Sequence, residues 1–465
     1  MKLVEIMGSI KILKSVTDLD IEIKDIKYNS QNVEKGDIFV DINRNYTYIN
    51  EAIKKGAQCV VCDIIHDTAI PFILVEDSRK ALALMSKNYF GRPDERLVIT
   101  GVTGTNGKTS VSTFLRHILG EKAGLIGTNG NFIKDKIYTA KNTTPQSYEG
   151  YRLLKEMADS GCTHCVMEVS SHGLALDRVY GISFDAAVFT NLTGDHIDFH
   201  GSFENYKNAK TMLARASQIN IVNADDDNFD HIKNAVKYSI KDKNADFYGE
   251  NIRFSHDSTS YDIVVKGERY AVKINSVGIF TVYNSLAAIA SAVMLGIDID
   301  EAVKRLENAK TPLGRCEYVP TDNPFDVMID FAHTPDGMEK VLSMMKSIAK
   351  GKVITVFGCG GDRDKGKRPL MGSIAAKYSD KIIITSDNPR SEKPLGIICD
   401  IMEGIRESDA YACVIPDRKD AIFYAMKMAE KDDIVLLLGK GHEKYIEKNG
   451  IKTYFDERDV VAHYK

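Results

Sequence analysis

The sequence has little of what marks a secreted, membrane-spanning or nucleic-acid-binding protein. Eight cysteines in 465 residues are too few for a disulfide scaffold. Runs of about 18 or more apolar residues are absent, and the N-terminus lacks a basic segment followed by a long apolar one. The net charge of -4 gives no strong basic face for nucleic acid. We therefore expect a cytoplasmic protein with no membrane span, no signal peptide and no nucleic-acid partner. We also expect a monomer with small-molecule partners, although none of these features bears on the oligomeric state.

The cysteines include two CxxC pairs, Cys59/Cys62 and Cys162/Cys165. A zinc site would have to join these pairs across about 100 residues of chain. Both pairs lie in apolar, strand-like segments, where cysteine ordinarily buries as a small apolar side chain. We predict no zinc site.

The chain is too long for one compact core, and its length predicts roughly three domains. Short strands and amphipathic helices alternate up to a turn-rich, charged stretch at residues 91–95. Apolar strands alternate with helices again from residue 97, and once more after the helical pattern stops near residue 311. The predicted class is α/β: a small N-terminal α/β domain (1–95), a central P-loop-type, mostly parallel sheet (96–312) and a C-terminal Rossmann-like domain (313–465). Strands are predicted at residues 97–102, 163–169, 186–190, 219–222, 325–330, 352–357, 381–385 and 433–438.

A glycine-rich loop, Gly101-Val-Thr-Gly-Thr-Asn-Gly-Lys-Thr-Ser110, lies between a predicted strand and a predicted helix. Gly104 and Gly107 let backbone N–H groups turn onto phosphate oxygens, and the helix N-terminus adds partial positive charge. Lys108 is placed to reach the β- and γ-phosphates, and Thr109 to offer a hydroxyl to Mg²⁺. A plain glycine turn is the alternative, since Val102 replaces the first glycine of the common spacing. The Gly-Lys-Thr directly after a strand favours a P-loop.

Acids and imidazoles follow two further predicted strands. Glu168 ends one strand, and Asn191-Leu-Thr-Gly-Asp-His-Ile-Asp-Phe-His-Gly201 follows the next. Ligands of parallel sheets bind beyond the carboxyl ends of the strands, so both segments should face the crevice of the P-loop. A carboxylate and a histidine there could hold Mg²⁺. Alternatively, His196 and His200 are turn residues with backbone partners, and the spacing leaves both interpretations open.

Three polar turns follow strands of the predicted third domain. They are Phe357-Gly-Cys-Gly-Gly-Asp-Arg-Asp-Lys-Gly-Lys-Arg-Pro369, Thr385-Ser-Asp-Asn-Pro-Arg390 and Leu438-Gly-Lys-Gly-His-Glu443. The first turn lacks the GxGxxG pattern of a dinucleotide site, and the last lacks the HExxH pattern of a zinc site. These turns contain Arg368 and Arg390, which could bind a carboxylate, and Glu443, which could bind an ammonium group. Such a set suits a zwitterion such as an amino acid. Solvated loops without a ligand remain the alternative on spacing alone.

Taken together and in order, these motifs resemble those of the Mur ligase family over nearly the whole chain. Two more segments match, Met167-Glu-Val-Ser-Ser-His-Gly173 and Asp330-Phe-Ala-His-Thr-Pro-Asp336. The turn at residues 387–390 is similar to the motif of the branch that adds diaminopimelate. The resemblance implies an ATP-dependent ligase that joins meso-diaminopimelate to UDP-MurNAc-L-Ala-D-Glu through an acyl phosphate, in peptidoglycan precursor synthesis.

Two alternatives stay open. One is a paralogous Mur-type ligase that uses L-lysine or another acceptor. The other is a nucleotide-binding scaffold without activity, which is disfavoured because the reactive side chains of the family are retained. The residues that the resemblance predicts to be catalytic in this chain are Lys108, Glu168, His196 and Lys210.

The resemblance also implies roles at matching positions. Mg²⁺ would be held by Thr109, Glu168, His196 and Lys210. ATP would be bound by Gly104, Thr105, Asn106, Gly107, Lys108, Thr109, Ser110, Asn284, Arg315 and Asp330. The UDP-muramoyl dipeptide would be contacted by Ser30, Asn142, Thr143, Thr144, Ser170 and Arg178. Diaminopimelate would be bound by Arg368, Asp387, Asn388, Pro389, Arg390, Gly439 and Glu443.

The resemblance implies a special role for Lys210, whose amine would react with CO₂ to form a carbamate. The residue pattern alone predicts only a lysine on the surface of a helix. The chain also departs from the family pattern. The usual Asp-Ser-Arg is Asn29-Ser-Gln31, the loop at residues 43–47 is shortened, Leu176 replaces a common Gln, and Thr281 replaces a common Asn. Whether the altered loop still contacts uridine is left open.

Overall fold

A computed structural model describes residues 1–65, 70–255 and 258–464 of the chain. Within these ranges the chain forms three open sheets with helices, and one separate two-stranded hairpin. None of the helices in these ranges is long and apolar enough to cross a membrane. The predicted α/β class is confirmed.

The first sheet belongs to the N-terminal part of the chain. It contains β1 (Ile12–Ser15), β2 (Ile26–Lys27), β3 (Ile38–Val40), β4 (Cys59–Cys62) and β5 (Phe72–Val75), with helices α1 (Leu3–Met7), α2 (Tyr46–Lys54) and α3 (Ser78–Tyr89). The strand order is β1-β5-β4-β3-β2, and only β1 pairs in the antiparallel direction. Cys59 and Cys62 are buried in two different apolar clusters, so they serve as core side chains.

The second sheet has eleven strands. They are β6 (Val98–Thr103), β7 (Ala123–Gly127), β8 (Gly130–Ile133), β9 (Lys136–Tyr138), β10 (His164–Glu168), β11 (Phe184–Phe189), β12 (Ser217–Asn223), β13 (Val236–Ser239), β14 (Phe247–Phe254), β15 (Thr259–Val265) and β16 (Glu268–Ile274). Its helices are α4 (Lys108–Leu119), α5 (Ser147–Asp159), α6 (Ser171–Ala175), α7 (Ile197–His200), α8 (Phe203–Arg215), α9 (Ile279–Met294) and α10 (Ile299–Glu307).

The centre of this sheet is parallel, in the order β14-β13-β12-β11-β6-β10-β7. Strands β15 and β16 extend one edge, and β8 and β9 the other, all in antiparallel pairing. Helices cover both faces, because alternate residues of β10 enter different apolar clusters. Val166 packs with α4 and α9, while Cys165 and Met167 pack with α5. Burial on both faces is the reason why the central strands are continuously apolar.

The third sheet contains β17 (Glu317–Val319), β18 (Asp326–Asp330), β19 (Val353–Phe357), β20 (Lys381–Ile384), β21 (Tyr411–Val414) and β22 (Ile434–Leu438). Its order is β17-β18-β22-β19-β20-β21, with β17 alone antiparallel. The helices are α11 (Pro335–Ile348), α12 (Lys367–Tyr378), α13 (Pro394–Glu403), α14 (Arg418–Lys427) and α15 (Glu457–Ala462), and the hairpin is β23 (Tyr445–Lys448) with β24 (Ile451–Tyr454).

Each strand predicted in the second and third sheets is present, and its ends lie within two residues of the predicted ends. The antiparallel strands at the edges of the second sheet were not predicted. The three sheets fall inside the intervals 1–95, 96–312 and 313–465. We propose these intervals as the domains of the chain and use the names N-terminal, central and C-terminal domain below.

Candidate active site

The glycine-rich loop joins β6 to α4 at the carboxyl edge of the parallel sheet. Gly104 and Gly107 both have positive φ angles, of 147° and 86°. A Cβ atom at Gly104 would lie 1.8 Å from the hydroxyl oxygen of Thr190, and one at Gly107 would lie 2.5 Å from Oδ1 of Asn284. Both positions therefore require glycine for conformation and for space. Asn284, a predicted nucleotide contact, lies directly against the loop.

Lys108 folds over this loop. Its Nζ donates to the carbonyl oxygens of Gly104 and Thr105, at 2.9 and 3.0 Å. Burial lowers the pKa of Lys108, and the nearby carboxylates of Glu168 and Asp195 oppose that effect. The ammonium group is thus held over the P-loop, where a β- or γ-phosphate would replace the carbonyl oxygens as its partner.

Glu168 is the buried carboxylate of the site, with a side chain that accepts three hydrogen bonds. Thr109 and Thr128 donate their hydroxyls to Oε2 at 3.0 and 2.9 Å, and the Thr128 backbone N–H donates to Oε1 at 2.9 Å. A Cβ atom at Gly127 would lie 2.3 Å from Oε1, so the end of β7 approaches the carboxylate closely. Sequence reasoning missed Thr128. The available signal was the Gly-Thr pair directly after the apolar run of β7.

Lys210 is buried, with 2% of its surface exposed, so the prediction of a surface lysine from its pattern was wrong. Its Nζ donates to the carbonyl oxygen of Gly104 at 2.8 Å and lies 4.7 Å from the centre of the Tyr206 ring. Tyr206, Lys210 and Leu213 share the buried face of α8, which explains why the side chain enters the site. Burial and the charge of Lys108 lower the pKa of Lys210 well below its ordinary value.

His196 precedes α7 with a left-handed backbone, φ 53°, and its side chain is about half exposed. Its ring lies 4.8 Å from the ring of His172, which lies 5.6 Å from that of His200. Burial, followed by the charges of the other two imidazoles, lowers the pKa of His172 to about 4. Among residues 1–65, 70–255 and 258–464, no three His, Cys, Asp or Glu side chains form a ready metal site. A metal-binding role of His196 stays a prediction.

Two predicted nucleotide contacts come from the C-terminal domain. Asp330 ends β18 and accepts hydrogen bonds from the backbone N–H groups of Cys316 and Ala332, both at 2.7 Å. The guanidinium of Arg315 lies 5.0 Å from the centre of the Phe331 ring. Its buried Nε has no hydrogen-bond partner within the described part of the chain, so a donor is left for a ligand.

Four of the predicted contacts to the muramoyl dipeptide form a cluster beside Glu168. Thr144 donates to the Glu168 carbonyl oxygen at 2.9 Å and lies 3.1 Å from the Ser170 hydroxyl. Arg178 donates to the Thr144 carbonyl oxygen at 3.0 Å. Thr143 joins the same cluster, since its hydroxyl lies 3.1 Å from that of Thr128.

The other two predicted dipeptide contacts do not join this cluster. Asn142 is exposed, and Ser30 donates its hydroxyl to Glu51 at 2.6 Å in the N-terminal domain. In the altered loop, Arg44 pairs with Asp63 through Nη2 at 3.0 Å. This part of the predicted uridine site is therefore occupied by contacts within the N-terminal domain.

The predicted amino-acid site lies at the carboxyl ends of β20 and β22. Asn388 donates its amide to Glu443 Oε2 at 2.7 Å, and the buried Lys440 donates to both, at 3.2 and 3.4 Å. Arg390, with φ 50°, donates to the Gly361 carbonyl oxygen at 2.7 Å. The remaining predicted residues adjoin this cluster. A Cβ atom at Gly439 would lie 2.8 Å from Asp387, and one at Gly361 would lie 2.0 Å from the Pro389 carbonyl oxygen.

Arg368 differs from the expectation of a free guanidinium at this edge. It is fully buried and donates to both carboxylate oxygens of Glu392, at 2.8 and 3.0 Å, and to Asp400 at 2.8 Å. A further bond of 3.3 Å reaches the carbonyl oxygen of Gly360. In this structure Arg368 supports the 358–366 turn, and its predicted contact with a substrate would need one of these partners to move.

Comparison with known proteins shows the family to which the chain belongs. The model of the Mur ligase middle domain matches residues 102–292, and that of the Mur ligase, glutamate ligase domain matches residues 314–441. The UDP-N-acetylmuramoyl-L-alanyl-D-glutamate--2,6-diaminopimelate ligase 1 of Clostridium acetobutylicum is 43% identical, over 100% of this chain and 99% of the relative.

Solved structures give the same result. That of a UDP-N-acetylmuramoyl-L-alanyl-D-glutamate--2,6-diaminopimelate ligase has a TM-score of 0.72 and 31% identity, over 99% of this chain and 98% of the other. A MurF ligase from Thermotoga maritima in complex with ADP shares the fold, with a TM-score of 0.65 and 19% identity over 90% of this chain and 94% of the other. The chain belongs to the Mur ligase family and is an enzyme, a ligase.

Proposed function

We propose that this enzyme uses ATP to join meso-diaminopimelate to UDP-MurNAc-L-Ala-D-Glu in peptidoglycan precursor synthesis. The main support is the full-length similarity, at 43% identity, to a relative named for this reaction. The site supports it independently. A P-loop with a buried carboxylate lies in the central domain, and an Asn388–Glu443–Arg390 cluster suited to an amino acid lies in the C-terminal domain.

The P-loop would hold ATP, with backbone N–H groups of residues 104–110 and the N-terminus of α4 around the phosphates. Lys108 would exchange its two carbonyl partners for phosphate oxygens. Arg315, with its unpartnered Nε within the described chain, and Asp330 would contact the nucleoside from the C-terminal domain. A neighbour of the same fold was solved with ADP, which is consistent with this assignment.

The donor set of the site fits Mg²⁺. Thr109 Oγ1 and Glu168 Oε2 lie 3.0 Å apart, and both are oxygen atoms, which Mg²⁺ prefers. We propose that they hold Mg²⁺ together with His196 and a carbamate on Lys210. When bound, Mg²⁺ would offset the negative charge that gathers on the phosphoryl oxygens.

The state of Lys210 supports the proposed carbamate. A neutral amine attacks CO₂, whereas an ammonium group cannot. The lowered pKa of the buried Lys210 amine raises the neutral fraction, and formation of the N–C bond releases one proton. The product is an anion, which would suit a site that already contains the cationic Lys108 and a metal ion.

The reaction then has two steps. The D-Glu carboxylate forms a bond to the γ-phosphorus while the bond to the ADP oxygen breaks. The amine of diaminopimelate next attacks the acyl carbon, and phosphate leaves with the former carboxylate oxygen and one proton from the amine. Lys108 stabilises the charge of the first step. Docking of the C-terminal domain over the P-loop brings the amine to the acyl phosphate and keeps water away.

The test is ATP-dependent phosphate release with UDP-MurNAc-L-Ala-D-Glu and meso-diaminopimelate, compared with L-lysine at equal concentration. We expect release to require both substrates and to be at least ten times faster with diaminopimelate. Equal or faster turnover with L-lysine would contradict the proposed specificity. If the UDP-muramoyl dipeptide gave no heat of binding in calorimetry, a different acceptor would be favoured, as the contacts of Ser30 and Arg44 within the N-terminal domain allow.

A further inference from the structure

One carboxylate of the C-terminal domain contacts two segments of the nucleotide site. Oδ2 of Asp336, in the first turn of α11, accepts a hydrogen bond from the Asn106 side chain at 3.2 Å and from the Thr193 hydroxyl at 3.1 Å. Lys340, one turn later on α11, donates to the same oxygen at 2.9 Å. No role was predicted for Asp336, although it ends one of the sequence motifs.

The two segments that Asp336 contacts are already joined to each other. The Asn106 backbone N–H donates to Asn191 Oδ1 at 3.0 Å, and its carbonyl oxygen accepts from Thr190 at 2.6 Å. The Thr193 N–H donates to the Thr105 hydroxyl at 3.0 Å. A displacement of Asn106 or Thr193 therefore also moves the P-loop and the segment that leads to His196.

Apolar contacts accompany this polar one. The start of α9 belongs to the central domain, yet Phe280 packs against the apolar core of the C-terminal domain. A Cβ atom at Gly278 would lie 1.8 Å from the sulfur of Met344 on α11, so the two backbones approach closely. Lys340 Nζ also lies 6.0 Å from the centre of the Phe280 ring. Helix α11 is thus the docking helix of the C-terminal domain.

We propose that Asp336 is the positioning residue that holds the C-terminal domain in its docked arrangement over the P-loop. Its carboxylate fixes Asn106 and Thr193, while Arg315 and Asp330 of the same domain would contact the nucleotide. Apolar packing alone allows sliding, whereas one oxygen that accepts two directed hydrogen bonds from the central domain fixes the register of α11 on the loop. The inference goes beyond the proposed function and depends on it only for nucleotide in the P-loop.

A distance measurement between the domains tests the proposal. Fluorophores are attached to the exposed Cys399 on α13 and to a cysteine introduced at Ile137, which is 66% exposed in the central domain. Energy transfer is recorded without nucleotide and with the non-hydrolysable analogue AMP-PNP and Mg²⁺. We expect Asp336→Ala to lower the equilibrium constant for docking with nucleotide by about tenfold, the effect of losing hydrogen bonds to a charged group. The nucleotide-dependent change in energy transfer should shrink accordingly.

The matched control is Glu339→Ala on the same helix, because Glu339 bonds Lys377 and Tyr378 within the C-terminal domain. We expect it to dock as the parent does, and Asp336→Asn, which keeps an acceptor oxygen, to recover most of the docking. Thr193→Val should lower kcat when it is introduced into the parent enzyme, but it should cause no further loss of kcat when it is introduced into Asp336→Ala. The proposal would be overturned by an equal AMP-PNP-dependent change in energy transfer in the parent and in Asp336→Ala. It would also be overturned if the losses of kcat in Thr193→Val and Asp336→Ala were fully additive in the double variant. Either result would leave the ligase assignment intact.

Discussion

Lys108 and Lys210 donate to the same backbone oxygen, the carbonyl of Gly104, at 2.9 and 2.8 Å. Burial lowers the pKa of both amines, and the charge of Lys108 further lowers the tendency of Lys210 to hold a proton. Burial is the larger cause of the lowered pKa of Lys210, and the charge of Lys108 is the next. The pair therefore favours one ammonium group for phosphate and one neutral amine that can react with CO₂.

Replacing Lys210 tests this division of roles. Lys210→Met keeps the length and burial of the side chain but removes the amine, and we expect ligation to fall by about a hundredfold or more, in the range found for loss of one transition-state contact. Incubation with ¹³C-bicarbonate should give a carbamate carbon signal in the parent and none in Lys210→Met. The less buried Lys207 on the same helix is the control, and Lys207→Met should keep both signal and activity. A Lys210→Met enzyme of undiminished activity would remove Lys210 from the mechanism.

Thr128 holds the carboxylate that we assign to Mg²⁺. Thr128→Val removes the hydroxyl bond to Glu168 Oε2 but keeps the backbone bond to Oε1. Loss of a partner behind a metal ligand typically costs about ten- to a hundredfold in metal affinity, so the Mg²⁺ concentration for half-maximal activity should rise by that factor. Thr211→Val, the same change on the outer part of α8, serves as the control. An unchanged Mg²⁺ dependence in Thr128→Val would separate Glu168 from the metal.

Glu443 should set the affinity for the incoming amino acid. Glu443→Gln keeps the shape but removes the charge that would pair with a substrate ammonium group. We expect KM for diaminopimelate to rise by about ten- to a hundredfold, as for a lost hydrogen bond to a charged group, while KM for ATP stays within about twofold. The control is Glu430→Gln, since Glu430 forms an exposed pair with Lys352. If KM rose for ATP and not for diaminopimelate, Glu443 would belong to the ATP site and the assignment would be wrong.

The ion pair of Arg368 and Glu392 should make stability depend on acidity. The hydrogen bond from Arg368 is the largest cause that lowers the pKa of Glu392, from 4.5 to about 2. Well above pH 4.5 the folded and unfolded states both hold the carboxylate ionised, and its stabilising contribution is complete. As the pH falls from 4.5 to about 2, the unfolded state takes up the proton first, so this contribution is lost.

Denaturant unfolding at pH 6 and pH 3 measures the effect. Glu392→Gln should unfold more easily at pH 6 and show a smaller loss of stability between the two pH values than the parent does. Arg368→Met leaves two partly exposed acids without their partner and should also lower the free energy of unfolding at pH 6. An identical pH dependence in Glu392→Gln and the parent would show that the pair does not contribute to acid sensitivity.

Much of the fold and part of the site could be predicted from the sequence. The apolar strand, the glycine loop and the following Lys108 and Thr109 are neighbours in the chain, so their geometry is local. The same holds for Glu168 at the end of β10, because the carboxyl ends of parallel strands meet at one edge. Lys210 also had a local signal that was missed. It is four residues after Tyr206 and three before Leu213, on the buried face of α8.

Other features depend on partners that are distant in the chain. Arg368 looks like a free cation in its turn, and only the fold brings Glu392 and Asp400 to it. Asp336 looks like an ordinary acid in the first turn of a helix, where the helix dipole favours it. Its contacts with Asn106 and Thr193 arise from docking of one domain on another. Hydrophobic periodicity contains no information about such polar pairs.

The most direct test of the central claim is the identity of the product. The enzyme is incubated with ATP, Mg²⁺, UDP-MurNAc-L-Ala-D-Glu and equal concentrations of meso-diaminopimelate and L-lysine, and the nucleotide products are separated and weighed by mass spectrometry. We expect one main product, the UDP-muramoyl tripeptide that contains diaminopimelate, with stoichiometric ADP and phosphate. A lysine-containing product, or unchanged UDP-muramoyl dipeptide beside consumed ATP, would contradict the assignment.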